Sequence, residues 1–394
     1  MTPAARTQAA IELLDAVIVA ARDGGAAADT IIARYFAQRR YAGSKDRRAV
    51  RALVYDAIRL LGERPQSGRA AMLALARDPP ELMAHFGAGG HAPEAVADGE
   101  PVAETGVAPQ WLTERLIAAG LTISDLQALL DRAPLDIRVN PLRSDADSVR
   151  SALEGAGPIA GLPMALRLPV DSQIERHPLW NDGAFEVQDA GSQAVSLAAG
   201  AAPGMTVVDL CAGGGGKTLA LAALMANQGR LIACDADRGR LSRLTPRAER
   251  AGVTIAETRL LNPGREAEAL EDLTGRADIV LVDAPCSGTG TWRRNPEARW
   301  RLTSQRLETL TRLQARLLDV AASLIRPGGS LTYIVCSLLD AEGGDQIERF
   351  LADHSGWHAE TLALPLGTRH ADGMRLTPAH DGTDGFFVAK LHCT

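Results

Sequence analysis

No stretch of the 394 residues approaches the uninterrupted apolar run of ~20 that a membrane-spanning helix needs. The N-terminal MTPAARTQAA also lacks the basic-then-apolar layout of a secretory signal, so a cytoplasmic protein with no membrane partner is expected. Cysteine is sparse. Cys211, Cys234, Cys286, Cys336 and Cys393 are odd in number, scattered, and without a C-x-x-C pair. That argues against a disulfide framework and a structural zinc, so no metal is expected and each thiol is either small and buried or reactive. Nor is there an excess of basic charge: 42 Lys and Arg stand against 48 Asp and Glu, a net charge of -6. A nucleic-acid binder of this balance needs a local basic face, not a global field.

What is present has the length for two or three domains. From Ala4 to Arg64 the text is helical: Ile11, Leu14 and Ile18 share one face, and Val50, Leu53, Val54, Ala57, Ile58 and Leu61 form a 3.6-period stripe. Between them lies RRYAGSKDRRAVR, with Arg39, Arg40, Lys45, Arg47, Arg48 and Arg51 against the single acid Asp46. It reads either as a solvated helix face or as a phosphate-contacting patch. Gly87 to Pro109 is a Gly/Ala/His/Pro-rich loop. Residues 1–132 therefore read as one all-helical domain.

Residues 133–195 form a small α/β piece that opens with the strand Leu135 to Asn140, stopped at Pro141. From 196 to 394 strand and helix alternate. Strands are expected over Thr206 to Leu210, Arg230 to Ala236, Thr254 to Leu260, Ala277 to Ala284 and Ser330 to Ser337, with a long helix over Ser304 to Ile325. His358 to Leu364 and Gly385 to His392 are expected to close one edge as an antiparallel hairpin. The class is α/β, a mostly parallel sheet covered on both faces, with ligands at the C-terminal strand ends.

Val207 to Thr218, VVDLCAGGGGKT, places four glycines between a strand and a helix N-terminus. Such a turn admits a ligand close to the backbone. A phosphate loop is excluded on spacing, because G-x-x-x-x-G-K-[ST] would need glycine where Cys211 stands. A nucleotide-like cofactor remains. Asp235, closing the second strand, suits ribose hydroxyls or a helix cap. Asn262, closing the third, suits an adenine edge or a turn. The fourth strand ends DAPCSGTGTWRRNPEARW; its acid and proline are similar to methyltransferases that act on exocyclic base amines, but Cys286 replaces their aromatic ring. The fifth ends YIVCSLL with Cys336. Two thiols at neighbouring strand ends point to chemistry at carbon.

These residues resemble the RsmB/Nop/Sun family of RNA 5-methylcytosine methyltransferases. The resemblance covers about 130 to 394, through NPLR at Asn140 to Arg143, QDAGSQ at Gln188 to Gln193, DLCAGGGGKT, DAPCSGTG, RRNPEARW, VCS and DGFFVAKL at Asp384 to Leu391. The SKDRRAVRALVYDAIR run is similar to the NusB-like RNA-binding domain that precedes the catalytic part in bacterial members. The resemblance implies a Rossmann-like class I methyltransferase with a seven-stranded sheet, a small RRM-like subdomain and S-adenosylmethionine as cofactor. The cofactor would be held by Cys211, Ala212, Gly213, Gly214, Gly215, Gly216, Lys217, Asp235, Arg240, Asn262 and Asp283. It further implies that Cys336 adds to carbon 6 of cytosine, that Asp283 holds the base at N3 and the exocyclic amine, and that Cys286 serves release of the carbon-5 proton. Arg293, Arg294, Arg299 and Trp300 are expected to bind phosphate and stack on a base, beside the patch at Arg39 to Arg48.

Four positions depart from the family pattern. Gly213 and Gly214 stand where C-A-A-P-G-G-K-T has alanine and proline, which predicts a looser cofactor loop. Asn262 replaces an acid, and Val335 stands for threonine before Cys336. The expected substrate is 16S rRNA, acted on by a monomer; the same reaction on tRNA, or an RNA-binding assembly factor without turnover, are the alternatives the residues leave open.

Overall fold

The computed structural model describes residues 1–394, which divide into two compact units. The first comprises Met1–Asp131 together with Thr291–Thr303. Its helices are α1 (Pro3–Asp23), α2 (Ala28–Gln38), α3 (Ser44–Leu60), α4 (Gly68–Leu75), α5 (Gln110–Ala118) and α6 (Ile123–Ala128). α1 starts where the Thr2 hydroxyl accepts the Ala5 N–H at 3.2 Å, with Pro3 in the first turn, and ends at Gly24 in the left-handed region. Leu13, Leu14 and Val17 of α1 and Val50, Val54 and Ile58 of α3 share one core cluster, as the 3.6-residue spacing requires. α4 crosses α1 so closely that a β-carbon on Gly68 would collide with the Ile11 carbonyl oxygen. Trp300, from the returning segment, belongs to the same cluster.

The second unit comprises Arg132–Gly290 and Ser304–Thr394. It carries a four-stranded antiparallel sheet of β1 (Leu135–Val139), β2 (Gly157–Ile159), β3 (Leu162–Leu168) and β4 (Phe185–Val187), in the order β2-β3-β1-β4. The larger, nine-stranded sheet contains β5 (Thr206–Asp209), β6 (Arg230–Asp235), β7 (Ala256–Leu260), β8 (Ala277–Asp283), β9 (Ile325–Val335), β10 (Trp357–Ala359), β11 (Thr368–His370), β12 (Gly373–Leu376) and β13 (Phe386–Cys393). Its order is β11-β12-β13-β9-β8-β5-β6-β7, with β10 on β13. β5 to β9 run parallel, and β10 to β13 antiparallel.

Seven of these strands, β7-β6-β5-β8-β9-β13-β12, make the sheet the resemblance implies; β10 and β11 extend it. The terminal elements differ from the expected edge hairpin. β13 lies inside the sheet between β9 and β12, β10 pairs only with its C-terminal half, and the edge hairpin is β11–β12. TRHADGMRL has no apolar run that would mark this hairpin in the sequence.

Alternate residues enter different clusters on the two faces: Val207, Leu231, Ile279 and Leu281 on one, Val208, Ile232, Val280 and Val282 on the other. The chain passes from β5 outward through β6 and β7, then returns to β8 on the opposite side of β5. The crevice of such a sheet lies at this reversal, beyond the C-terminal ends of β5 and β8. No helix is long and apolar enough to cross a membrane.

Candidate active site

β5 delivers the glycine loop to that crevice. Asp209 at its end is buried, accepts the Thr218 hydroxyl at 2.6 Å, and has its pKa pushed up to about 7 by burial. Three further hydrogen bonds shape the turn: Ala212 N–H to the Cys234 carbonyl at 2.7 Å, Gly213 N–H to Asp235 Oδ2 at 2.7 Å, and Gly215 N–H to the Ala212 carbonyl at 2.9 Å. Gly215 has φ +87° and faces Leu244 so closely that a β-carbon would clash, so glycine is required there. Gly214 has no positive φ; its carbonyl is held at 2.6 Å by Arg247 Nη1, whose Nη2 donates to Glu186 Oε2 at 2.8 Å.

Past the loop, the helix Gly216–Leu224 begins with open space at Gly216, where a β-carbon would meet nothing within 4 Å. Asp235 also accepts the Asp237 N–H at 2.7 Å and stands at the end of β6, next to the loop. A carboxylate with four acceptor positions beside an open helix N-terminus fits a nucleoside cofactor. Asn262 is exposed just beyond β7. Arg240 is exposed and pairs with Asp237 at 3.6 Å. Burial pushes the Cys211 thiol well above its ordinary pKa, so its place in the loop is through backbone and packing.

The reactive groups converge from three strand ends. Lys217, in the first turn of the helix after β5, donates to Asp283 Oδ2 at 2.7 Å, while Oδ1 of Asp283 takes no hydrogen bond within the protein. Burial opposes the charge on Lys217, but the Asp283 carboxylate outweighs it and holds the ammonium above its usual pKa. The Lys217 ammonium also lies 5.6 Å from the Phe386 ring centre. Cys286 follows β8, Cys336 follows β9, and their sulfurs are 3.4 Å apart. The hydrogen bond to Cys336, then burial, raises the Cys286 pKa well above the ordinary thiol range, so Cys286 keeps its proton.

Glu342 was not legible as a site residue. It follows Cys336 in LLDAEGG, which reads as an acidic surface turn. It is fully buried, and its carboxylate accepts from Ser287 N–H at 2.8 Å, Ser337 Oγ at 2.6 Å, Gln314 Nε2 at 3.0 Å and the Ser287 hydroxyl.

Among the RNA candidates the structure separates two groups. Arg40, Lys45, Arg47 and Arg48 are exposed. Arg39 stacks on the Tyr35 ring at 3.6 Å and reaches Glu12 at 3.5 Å. By contrast Arg293, Arg299 and Trp300 are buried inside the helical unit, which corrects their assignment to RNA. Arg299 donates to the carbonyls of Ile58, Arg59 and Leu61 at the end of α3, and Trp300 Nε1 donates to the Gly62 carbonyl at 3.2 Å. Burial lowers the Arg299 pKa to about 9. Arg294 is half-buried in the same segment.

Comparison with known proteins accords with this arrangement. A family model described as 16S rRNA methyltransferase RsmB/F matches residues 197–392. The chain is 38% identical to the "Probable ribosomal RNA small subunit methyltransferase B" of Synechocystis sp., over 72% of this chain and 66% of that one. It is 34% identical to the ribosomal RNA small subunit methyltransferase B of Sodalis glossinidius, over 76% and 69%. The chain thus spans about two thirds of the length of these relatives. Among solved structures, "Crystal Structure of PH0851" superposes with a TM-score of 0.77 over 99% of both chains at 25% identity. NSun6 from Pyrococcus horikoshii with SFG superposes at 0.65, over 72% of this chain and 98% of that one, at 19% identity. The chain belongs to the RsmB/F family of 16S rRNA methyltransferases, enzymes whose methyl donor is S-adenosylmethionine.

Proposed function

We propose that this chain methylates carbon 5 of a cytosine in 16S rRNA through a covalent adduct on Cys336, acting as a cytoplasmic monomer, with residues 1–132 as an RNA-binding domain. The observation that carries the reading is the 3.4 Å approach of two thiols from adjacent parallel strands, beside a paired lysine and carboxylate. Gly213 to Gly216 and Asp235 would hold S-adenosylmethionine, which supplies an electrophilic methyl group when bound.

Carbon 5 of cytosine is too poor a nucleophile to accept a methyl group unaided. The Cys336 thiolate adds to carbon 6, which makes carbon 5 enamine-like; this divides one hard step into two easier ones. Asp283, with Oδ2 tied to Lys217, turns Oδ1 to the base edge, accepts from the exocyclic amine, and passes the proton released by the Cys336 thiol to N3 as the electron pair arrives there. The hydrogen bond between the two sulfurs, together with burial, keeps the proton on Cys286. Once Cys336 is bonded to carbon 6, the Cys286 thiol gives its proton to solvent; after methyl transfer its thiolate takes the carbon-5 proton, directly or through a water, and Cys336 is expelled. The base must be single-stranded or flipped out to reach these groups.

The test is transfer of labelled methyl from S-adenosylmethionine to 16S rRNA and, separately, to tRNA. Cys336→Ala should abolish both transfer and the covalent RNA adduct. Cys286→Ala should accumulate the adduct and slow turnover by about 10²–10⁴-fold, as loss of a proton-transfer group does. Full activity of Cys336→Ala would overturn the assignment, and labelling of tRNA alone would move the substrate.

A further inference from the structure

Each proposed reactive cysteine is followed by a serine, and both serines donate to the same buried carboxylate. Glu342 is 0% exposed. Oε1 accepts the Ser287 N–H at 2.8 Å and Gln314 Nε2 at 3.0 Å, while Oε2 accepts the Ser337 hydroxyl at 2.6 Å and the Ser287 hydroxyl. Gln314 also donates to the Pro285 carbonyl at 2.9 Å, so Cys286 is held on both sides. The Cys336 side is extended by Thr289, which meets Ser337 Oγ at 3.1 Å and accepts the Leu338 N–H at 2.9 Å, and by Gly290, whose N–H donates to the Cys336 carbonyl at 3.0 Å. The Tyr333 hydroxyl anchors the Glu342 carbonyl to β9 at 2.7 Å.

A carboxylate has about four acceptor positions, and all four are filled here, which leaves none for substrate. Burying it is costly unless every position is satisfied. A neutral amide would fit only if the two serine hydroxyls turned to accept from its N–H₂, which gives up the charge-assisted hydrogen bonds they donate to the carboxylate. We propose that Glu342 is a positioning residue that clamps the Ser287 and Ser337 turns together and so sets the separation and aim of the Cys286 and Cys336 thiols. The proposal rests on the assignment of these cysteines to the two halves of the adduct cycle. The charge on Glu342 also helps to keep the proton on Cys286. Displacement of one thiol by about 1 Å costs on the order of 10²-fold in rate.

Glu342→Gln keeps the volume and removes one acceptor. The full-length protein, without RNA or cofactor, is treated with diamide. The two thiols lose their hydrogens to form the Cys286–Cys336 disulfide, and diamide is reduced to its hydrazine. Peptide mapping over time gives the rate. We expect Glu342→Gln to form this disulfide about tenfold or more slowly. Its kcat should fall about 10–100-fold with KM for RNA and for S-adenosylmethionine unchanged, and the covalent adduct should accumulate. Ser287→Ala and Ser337→Ala should each reproduce part of the loss and add nothing in the Glu342→Gln background. If Glu342→Gln does not fold, the two serine variants carry the test. A folded variant with the wild-type disulfide rate, or serine effects that add independently, overturns the proposal. The disulfide rate reports the clamp whichever cysteine attacks the base, so failure of the cysteine assignment would show separately, in an active Cys336→Ala.

Discussion

Lys217 Nζ lies 2.7 Å from Asp283 Oδ2, which ties the helix after the cofactor loop to the end of β8. The pair therefore fixes the carboxylate proposed to hold the base as well as the loop. Lys217→Met should lower kcat by about 10²-fold, the scale of losing one preorganised electrostatic contact. It should also destabilise the fold by about 1–3 kcal/mol. A lysine whose pKa is raised on folding contributes stability in full below its unfolded pKa and loses it as pH rises through the folded value. The gap in Tm between wild type and Lys217→Met should therefore be flat from pH 7 to 9 and close only above about 10.4.

Asp209 has the same sign in a lower pH window. Its pKa rises on folding to about 7 because the carboxyl is buried. The folded state then binds a proton more tightly than the unfolded one between about pH 4 and 7, so stability falls across that window and levels off above it. Asp209→Asn keeps an acceptor for Thr218 and cannot ionise. Scanning calorimetry from pH 4.5 to 8 should show the wild type losing Tm relative to Asp209→Asn as pH rises, with no further divergence above about 7. Equal slopes for the two proteins would refute the buried-acid account.

Arg299 and Arg48 should separate stability from RNA binding. Arg299 satisfies three carbonyls at the end of α3, where a cation also complements the helix dipole. Arg299→Met should cost about 2–4 kcal/mol in urea unfolding and leave no direct signature on the salt dependence of RNA affinity. Arg48→Ala, on the exposed face, should leave Tm unchanged, weaken RNA binding, and reduce the slope of log K against log salt by about 1.

Arg247 holds the carbonyl of Gly214 where the family pattern has proline. Arg247→Ala should raise the Kd for S-adenosylhomocysteine by about tenfold, the equivalent of one charge-assisted hydrogen bond at the low end of its range. If the arginine restrains the loop, adding Gly213→Ala with Gly214→Pro should restore most of that affinity. Calorimetry on the three proteins decides the point; absence of rescue would give Arg247 a different role.

The sequence by itself determined the class of sheet and the placement of the glycine turn and of both cysteines at strand ends. These are local properties: β-branched runs, a glycine turn before an apolar helix, and thiols placed directly after strands whose parallel order follows from the alternation. It also carried the family, through motifs that are contiguous in the chain. Tertiary structure alone decided which residues of RRNPEARW face solvent, because Arg299 and Trp300 are claimed by carbonyls of α3 and its following turn, more than two hundred positions earlier. It decided that β13 enters the sheet between β9 and β12, since strand neighbours are set by pairing and not by proximity in the chain. It also turned Glu342 from an apparent surface acid into the buried acceptor of four hydrogen bonds. A carboxylate's partners depend on where other segments bring their donors, and no spacing along one segment encodes that.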